Sequence, residues 1–474
     1  MSNRPLVIWW IRRDLRLADN PALTAAVANG SAVLPVYILD AQDEALGAAP
    51  KFRLGLGLEH FGRELGKAGS RLILRRGNAL EQLRQIIAET GAVAVYWSRL
   101  YNPAANERDT EVKQQLKTQG IDARSFSGRL LFEPWTVKTK AGGMFKVFTP
   151  FWKSLRLRAV DGLLSVPAAL TTPGNWPDSD DLAGWAMGAS MHRGADVVAR
   201  HCRVGEAAAQ ARLDAFLEES VAVYKDRRDF PGEDATSGLS ENLAWGEISP
   251  HRIWHLGCTA MERSSQGAET FLKQVVWREF AYHLMHHSSA ILTRNWRPEW
   301  EAFPWQETEI PDLQAWRRGQ TGYDFVDAAM RELFVTGKMH NRARMIAASF
   351  LTKHLMMHWK LGMDWFAETL VDWDPASNAM GWQWVAGSGP DASPFFRIFN
   401  PSGQQKKFDP SGDYTRRWIA EGQGTPPQSA LDFFATVPRS WNLAPDAPRA
   451  APIIPLQAGR ERALTAYHEM RQNR

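Results

Sequence analysis

Asp372, Asp374 and Asn378 put two carboxylates and an amide within seven residues, and Gly381, Trp382 and Trp384 follow directly. Pro375 restricts the backbone of Asp374 and suits the first turn of a helix, so Asp374 or Asp372 would cap a helix beginning there. On that helix Asn378 and Trp382 stand four apart and share a face, while Trp384 points elsewhere. Taken alone, these residues serve equally well as a capped surface helix with core tryptophans. A calcium loop counted from Asp372 fails, because its glycine position holds Ser377 and its bidentate glutamate position holds Gln383.

Three other stretches carry groups that chemistry can use. Around 271–280 the pattern is helical, and Gln274, Trp277, Arg278 and Ala281 fall on one face. An amide and a guanidinium make a poor core face, since each needs partners. They make a good cavity wall, one that stacks a base and grips a polar edge. A second helix, expected over 339–360, places Asn341, Arg344 and Met345 on one face, with Arg342 rotated by about 100° from Asn341. For Arg342 the plain alternative is a solvated charge. Thr236, Ser237, Gly238, Leu239 and Ser240 form a polar, glycine-bearing loop ahead of a helix, suited either to phosphate or to simple capping. The pairs His283/His287 and His354/His358 have zinc-ligand spacing, but neither encloses the HExxH glutamate and no cysteine is near, so polar or partly buried histidines are expected and no metal site.

The elements that must position these residues divide the chain. Of its 21 tryptophans, ten fall between 277 and 384 (Trp277, Trp296, Trp300, Trp305, Trp316, Trp359, Trp365, Trp373, Trp382 and Trp384), a density suited to stacking on bases or moving electrons. Residues 5–11 read as a buried strand, followed by strand runs near 32–39, 71–75, 92–97 and 123–126 with helical patterns between them. That alternation predicts a doubly wound α/β domain with a parallel sheet. Gly55 and Gly57 do not make a dinucleotide fingerprint, because the next glycine is Gly62 and no strand precedes them. The stretch 164–200 is rich in Pro, Gly and Asp and reads as an exposed connection. From about 207 the pattern is helical throughout. Two cysteines exclude a Cys-rich metal centre and fit a reducing compartment. A net charge of +4 permits nucleic-acid binding without demanding it. With no signal-peptide pattern and no apolar run of membrane-spanning length, a cytoplasmic protein without a membrane partner is expected.

Three strings carry a resemblance: Thr321-Gly322-Tyr323-Asp324-Phe325-Val326-Asp327, Met339-His340-Asn341-Arg342-Ala343-Arg344-Met345, and the run from Leu370 through Trp384 to Pro401. In this order they closely resemble the FAD-binding domain of the photolyase/cryptochrome family. Ile11-Arg12-Arg13-Asp14-Leu15-Arg16-Leu17 is similar to the first strand and turn of that family's antenna domain, and Phe145–Trp152 to a further family string. The resemblance implies an α/β antenna domain over 1–135, a linker over 136–205 and an all-α FAD-binding catalytic domain over 206–474.

It also implies roles. Tyr224 with Thr236, Ser237, Gly238, Leu239 and Ser240 would clamp the flavin pyrophosphate, although relatives often carry Arg where Gly238 stands. Phe271, Gln274, Arg278, Asn341, Arg344, Asp372, Asp374 and Asn378 would surround the flavin, Asn378 facing its N5. Trp277, Trp384, Asn341, Met345 and Gln274 would hold the lesion, Trp382, Trp359 and Trp305 would relay electrons, and Arg342 and Arg397 would meet the DNA backbone. The implied activity is light-driven repair of cyclobutane pyrimidine dimers in UV-damaged DNA, by a monomer carrying FAD and a second antenna chromophore, methenyltetrahydrofolate or a deazaflavin. A (6-4) photolyase would have His where Asn341 stands, and usually another where Met345 stands. A plant-type cryptochrome would have Asp at 378 and a long signalling tail. One departure runs the other way: the cyclobutane enzymes most often carry Glu where this chain has Gln274, and Phe271 replaces a common Trp.

Overall fold

The computed structural model describes residues 4–263, 265–392 and 396–472. Five short strands make one parallel sheet: β1 (Leu6–Ile11), β2 (Ala32–Leu39), β3 (Ile73–Arg76), β4 (Ala94–Ser98) and β5 (Asp122–Phe126), in the order β3-β2-β1-β4-β5. Every residue of β1 and β2 is buried, as a central parallel strand requires when helices cover both faces. Val7, Trp9 and Ile11 face one layer with Leu54, Leu58 and Phe61. Ile8 and Trp10 face the other with Leu83, Ile86 and Val112. The helices Pro21–Val27, Ala48–Lys67, Ala79–Thr90 and Pro103–Thr118 lie where the periodicity placed them. Strand order reverses between β1 and β4, and the crevice at that end is lined by Arg13, Asp43, Tyr101 and Arg108.

The connection over 164–200 is less exposed than its composition suggested. Trp185 and Met187 are buried, Trp185 with its ring 6.1 Å from Tyr37 and Met187 against Gly55, where an added Cβ would meet it at 2.8 Å. A few apolar residues in a Pro- and Gly-rich run suffice to cover the Ala48–Lys67 helix, and a composition count does not register them.

Beyond this stretch the described chain is helical, and Ser265–His287 is the long helix that joins the two parts. Arg278 donates to the carbonyl of Arg129 at 2.7 Å, and Glu279 accepts from the amides of Leu131 at 2.9 Å and Phe132 at 3.3 Å. A buried ionic group adds to the joint, with Arg53 3.2 Å from Glu241 and 2.6 Å from Glu247. Trp245 donates its indole N–H to the Val371 carbonyl at 2.8 Å. Among the described residues no helix is long and apolar enough to cross a membrane.

Glu279 makes this joint pH-sensitive. Burial raises its carboxyl to about 7, against the opposing pull of Arg278 and the two backbone amides. The folded chain therefore keeps a proton that the unfolded chain releases between the ordinary glutamate value and about pH 7. Stability contributed by this group is full below that window and falls by roughly 3 kcal/mol as pH rises through it. Glu279→Gln should flatten the decline of urea-unfolding free energy between pH 5 and 8; a slope equal to the parent's would refute the assignment.

The helix expected over 339–360 is broken. It runs as Asn341–Ser349, widens into a π-type turn over Phe350–His354, and stops before a new helix, Trp359–Thr369. Between them Met356 takes a positive φ of 54°, and the chain bridges to Gln306, whose N–H donates to the Met356 carbonyl at 2.8 Å. The His358 ring caps the new helix by accepting from the Lys360 amide at 3.1 Å. The turn delivers Lys353 into the interior, where it donates to the Ala386 carbonyl and burial alone pushes its amine well down. Both partners are remote in sequence, so the apolar pattern gave no warning of the break.

Candidate functional site

The helix Pro375–Ala386 begins as its sequence predicts, with Pro375 in the first turn and Asp374 accepting from the Ser377 amide at 2.8 Å. The other oxygen of Asp374 accepts from the Tyr282 hydroxyl at 2.7 Å. One turn on, Asn378 donates its amide to the Asp374 carbonyl at 3.0 Å, which fixes how it faces the adjoining cavity. Asp372 accepts from Arg344 at 2.8 Å through one oxygen, and among the described residues its other oxygen is buried without a partner. Arg344 is itself oriented by donating to the Met339 carbonyl at 2.8 Å.

These side chains wall a cavity of about 250 Å³. Ser237, Leu239, Ser240, Phe271, Gln274, Arg278, Arg344, Asp372, Asp374 and Asn378 all line it. Leu243, Ala244, Ile253, Val275 and Ser377 complete the wall, mostly apolar residues that the sequence reading did not single out. Gln274 donates to the Thr270 carbonyl at 3.3 Å on its own helix. The wall thus combines an apolar floor, two arginines, a half-paired carboxylate and two amides.

The loop over 236–240 is shaped by a residue missed from sequence. Gly238 has a φ of +61°, and an added Cβ would lie 3.3 Å from Arg212 Nε. Arg212, on the helix Glu206–Ala215, donates to the Ser237 carbonyl at 2.8 Å and to that of Thr236, and pairs with Asp234. It turns the loop's carbonyls towards itself and braces the loop. Among the described residues no side chain caps the helix Ser240–Trp245, so the loop hydroxyls are not spent on capping. Arg212 stands 26 residues before Gly238 in an alanine-rich helical stretch, and nothing local marks it.

Other predicted residues lie outside this cavity's lining. Tyr224 is buried behind it, edge-on to Phe271 at 5.9 Å and to Phe216 at 5.4 Å. Trp277 leaves the face of Gln274 and Arg278 and stacks on Phe148, with centroids 3.7 Å apart and planes 4° from parallel. The Asn341 amide lies 3.8 Å from the Met345 sulfur. Trp384 is half-buried, its indole N–H donating to the Asp391 carbonyl at 3.1 Å. Arg342 is paired with Asp229 at 2.6 Å and lies 4.3 Å over the Phe408 ring, so it is not a freely solvated charge. Arg397 is exposed. In the string from Trp384 to Pro401, Ser393, Pro394 and Phe395 lie outside the described residues.

The three tryptophans expected to relay electrons sit in different settings. Trp382 is buried edge-on to Phe366 at 4.9 Å and Trp316 at 6.2 Å, and its ring covers Gly362, where an added Cβ would come within 2.1 Å. Trp359 is fully buried and donates to Asn295 at 2.9 Å. Trp305 is half-buried, and the His358 ring lies 5.5 Å from it and 5.3 Å from Trp359. Of the histidine pairs, His283 accepts from the Phe145 amide at 3.0 Å and touches the His287 ring at 4.6 Å. Burial holds both His283 and His354 down at about 4. Among the described residues no group of three or more His, Cys, Asp or Glu is arranged to hold a metal ion.

Comparison with known proteins bears on the same residues. Residues 271–469 match the family model described as the FAD binding domain of DNA photolyase, and residues 7–170 match that described as DNA photolyase. A deoxyribodipyrimidine photo-lyase of Agrobacterium fabrum is 46% identical, with 89% of this chain and 88% of that one covered. Cryptochrome-2 of Arabidopsis thaliana is 32% identical over 98% of this chain and 79% of its own. The crystal structure of a bacterial class III photolyase from Agrobacterium tumefaciens superposes with a TM-score of 0.91 at 43% identity, covering 100% of this chain and 99% of that one. Matched at both ends and over most of each relative's length, the chain belongs to the photolyase/cryptochrome family.

Proposed function

We propose that this protein repairs cyclobutane pyrimidine dimers in DNA under light, with FAD held in the cavity walled by Gln274, Arg278, Arg344, Asp372 and Asn378. The convergence of those five side chains on one cavity carries the reading. The residues fit the cofactor: among the described residues Asp372 has a buried oxygen without a partner, which a flavin N–H or hydroxyl would satisfy, and the apolar wall of Leu239, Leu243, Ile253 and Phe271 suits an aromatic ring system. Reduced FAD, when bound, supplies an electron on absorbing near-ultraviolet or blue light.

The chain's own residues bind and orient. The loop over 236–240, braced by Arg212, offers hydroxyls and amides to the pyrophosphate. Arg278 and Arg344 bring positive charge to the cavity, while Asn378 presents an amide that cannot deliver a proton. Trp277 and Trp384 stack the damaged bases once they leave the duplex, a step that is cheap for a poorly stacked pair. Asn341 and Met345 line the lesion side, and Arg342, Arg397 and neighbouring cations meet the phosphates that supply affinity. An antenna chromophore, methenyltetrahydrofolate or a deazaflavin, completes the reading, and the absorption spectrum of the purified protein reports both chromophores. The protein acts as a monomer on UV-damaged DNA, in the cytoplasm.

The test is illumination of two oligonucleotides, each bearing one defined lesion, with products resolved by chromatography. The cyclobutane dimer should be repaired and the (6-4) product left intact, because Asn341 and Met345 stand where that chemistry needs histidine. Gln274→Glu should hold or raise the yield per photon at unchanged lesion affinity, since an amide already donates to a carbonyl and accepts from an N–H but cannot supply a proton. Repair of the (6-4) substrate alone would overturn the proposal, and a large yield loss in Gln274→Glu would show a pocket tuned for an amide.

A further inference from the structure

We propose that Tyr282 is a positioning residue for the flavin cavity, setting Asp374 from the far side of the wall that residues 372–375 form. The inference rests on the reading of that cavity as the FAD site.

Two cavities share this wall. Asp372 and Asp374 line the flavin cavity, whereas Trp373 and Pro375, the residues alternating with them, line the crevice at the end of the sheet. Asp374 is extended, with φ −131° and ψ 111°, and an extended run sends successive side chains to opposite sides. The partition is therefore one backbone thick. Tyr282 belongs to the crevice lining with Arg13, Tyr101 and Arg129, and it lies outside the lining of the flavin cavity among the described residues.

Side chains outside the flavin cavity hold the partition at three places. Trp245 donates its indole N–H to the Val371 carbonyl at 2.8 Å, and the Arg13 guanidinium lies 4.5 Å over that indole. Arg13 also donates to the Trp373 carbonyl at 3.3 Å. Next in the chain, the Tyr282 hydroxyl donates to Asp374 Oδ2 at 2.7 Å. This last bond reaches furthest. Asp374 Oδ1 caps the helix Pro375–Ala386 by accepting from the Ser377 amide at 2.8 Å, so different elements fix its two oxygens. The Asp374 main-chain carbonyl accepts from the main-chain and the side-chain amide of Asn378, each at 3.0 Å. Tyr282 thus holds the residue that in turn sets how Asn378 faces the cavity. The tyrosine is itself held, edge-on to Tyr101 at 5.9 Å and with the Arg278 guanidinium 5.0 Å over its ring. Burial raises its phenol, so the hydroxyl remains a donor across the neutral range. Without that hydroxyl a buried carboxylate oxygen beside the flavin cavity loses its donor, and an unsatisfied buried acceptor is costly.

The experiment uses the FAD-loaded protein and follows flavin release on serial dilution by flavin fluorescence. Tyr282→Phe keeps the ring between Tyr101 and Arg278 and removes the hydroxyl. Its FAD dissociation constant should rise about threefold to tenfold. Asp374→Ser keeps a capping oxygen for the Ser377 amide and deletes the oxygen that Tyr282 meets. In that background Tyr282→Phe should cost nothing further, a result that a merely structural tyrosine would not give. Visible-region circular dichroism of the bound flavin should change in Tyr282→Phe, while the far-ultraviolet spectrum stays at the parent's. Parent-like FAD affinity in Tyr282→Phe overturns the inference, as does an equal loss in the parent and Asp374→Ser backgrounds. A parent protein that does not retain FAD overturns the cavity reading beneath it.

Discussion

Trp382→Phe is expected to abolish light-driven reduction of the oxidised cofactor while leaving repair by chemically pre-reduced protein intact. The position explains the size of the effect. Trp382 follows Asn378 by one helical turn, so the same face that presents an amide to the cavity presents this indole to the core behind it. It is buried and closely backed by Gly362, so no solvent molecule or flexible side chain can take its place as donor. Phe fills most of the same volume and keeps the edge contacts with Phe366 and Trp316, but it is far harder to oxidise. Repair starts from cofactor that is already reduced, so it does not pass through this residue. Blue-light bleaching of the oxidised absorption band with an external thiol reports the first half, and dimer repair after dithionite treatment the second. Equal bleaching in variant and parent would remove Trp382 from the relay.

The second large effect is expected at Trp277. Truncation to Ala should weaken binding of dimer-bearing DNA by roughly ten- to a hundredfold, given about 1–3 kcal/mol for stacking one base on one aromatic ring. Affinity for undamaged DNA should change little, because that binding depends on phosphate contacts. The stack on Phe148 sharpens the expectation, since the indole is held flat before any lesion arrives and pays little ordering entropy on binding. Trp277→Phe should therefore keep much of the affinity that Trp277→Ala loses. A gel-shift series in which both DNAs lose affinity equally would make Trp277 a structural residue of the Phe148 contact.

What the sequence by itself determined was local. The six apolar residues of β1, the cap made by Asp374 and Pro375, and the shared face of Gln274 and Arg278 all depend on neighbours within a turn or a strand. For that reason the parallel sheet, the helical remainder and the shared face of Gln274 and Arg278 were legible from spacing alone. The resemblance of three long strings then named the family, and the comparisons agree with it.

What only the tertiary structure decided depends on partners far apart in the chain. The helix beginning at Asn341 ends early because Gln306 pairs with 356–358 and the buried Lys353 reaches Ala386, two interactions that no apolar period encodes. Trp277 shares a helical face with Gln274, yet it turns to Phe148 because the helix Phe148–Leu155 offers a flat ring at stacking distance. Arg212 went unread for the same reason. An arginine bracing a glycine loop is defined by what it touches, and those contacts exist only once the chain has folded.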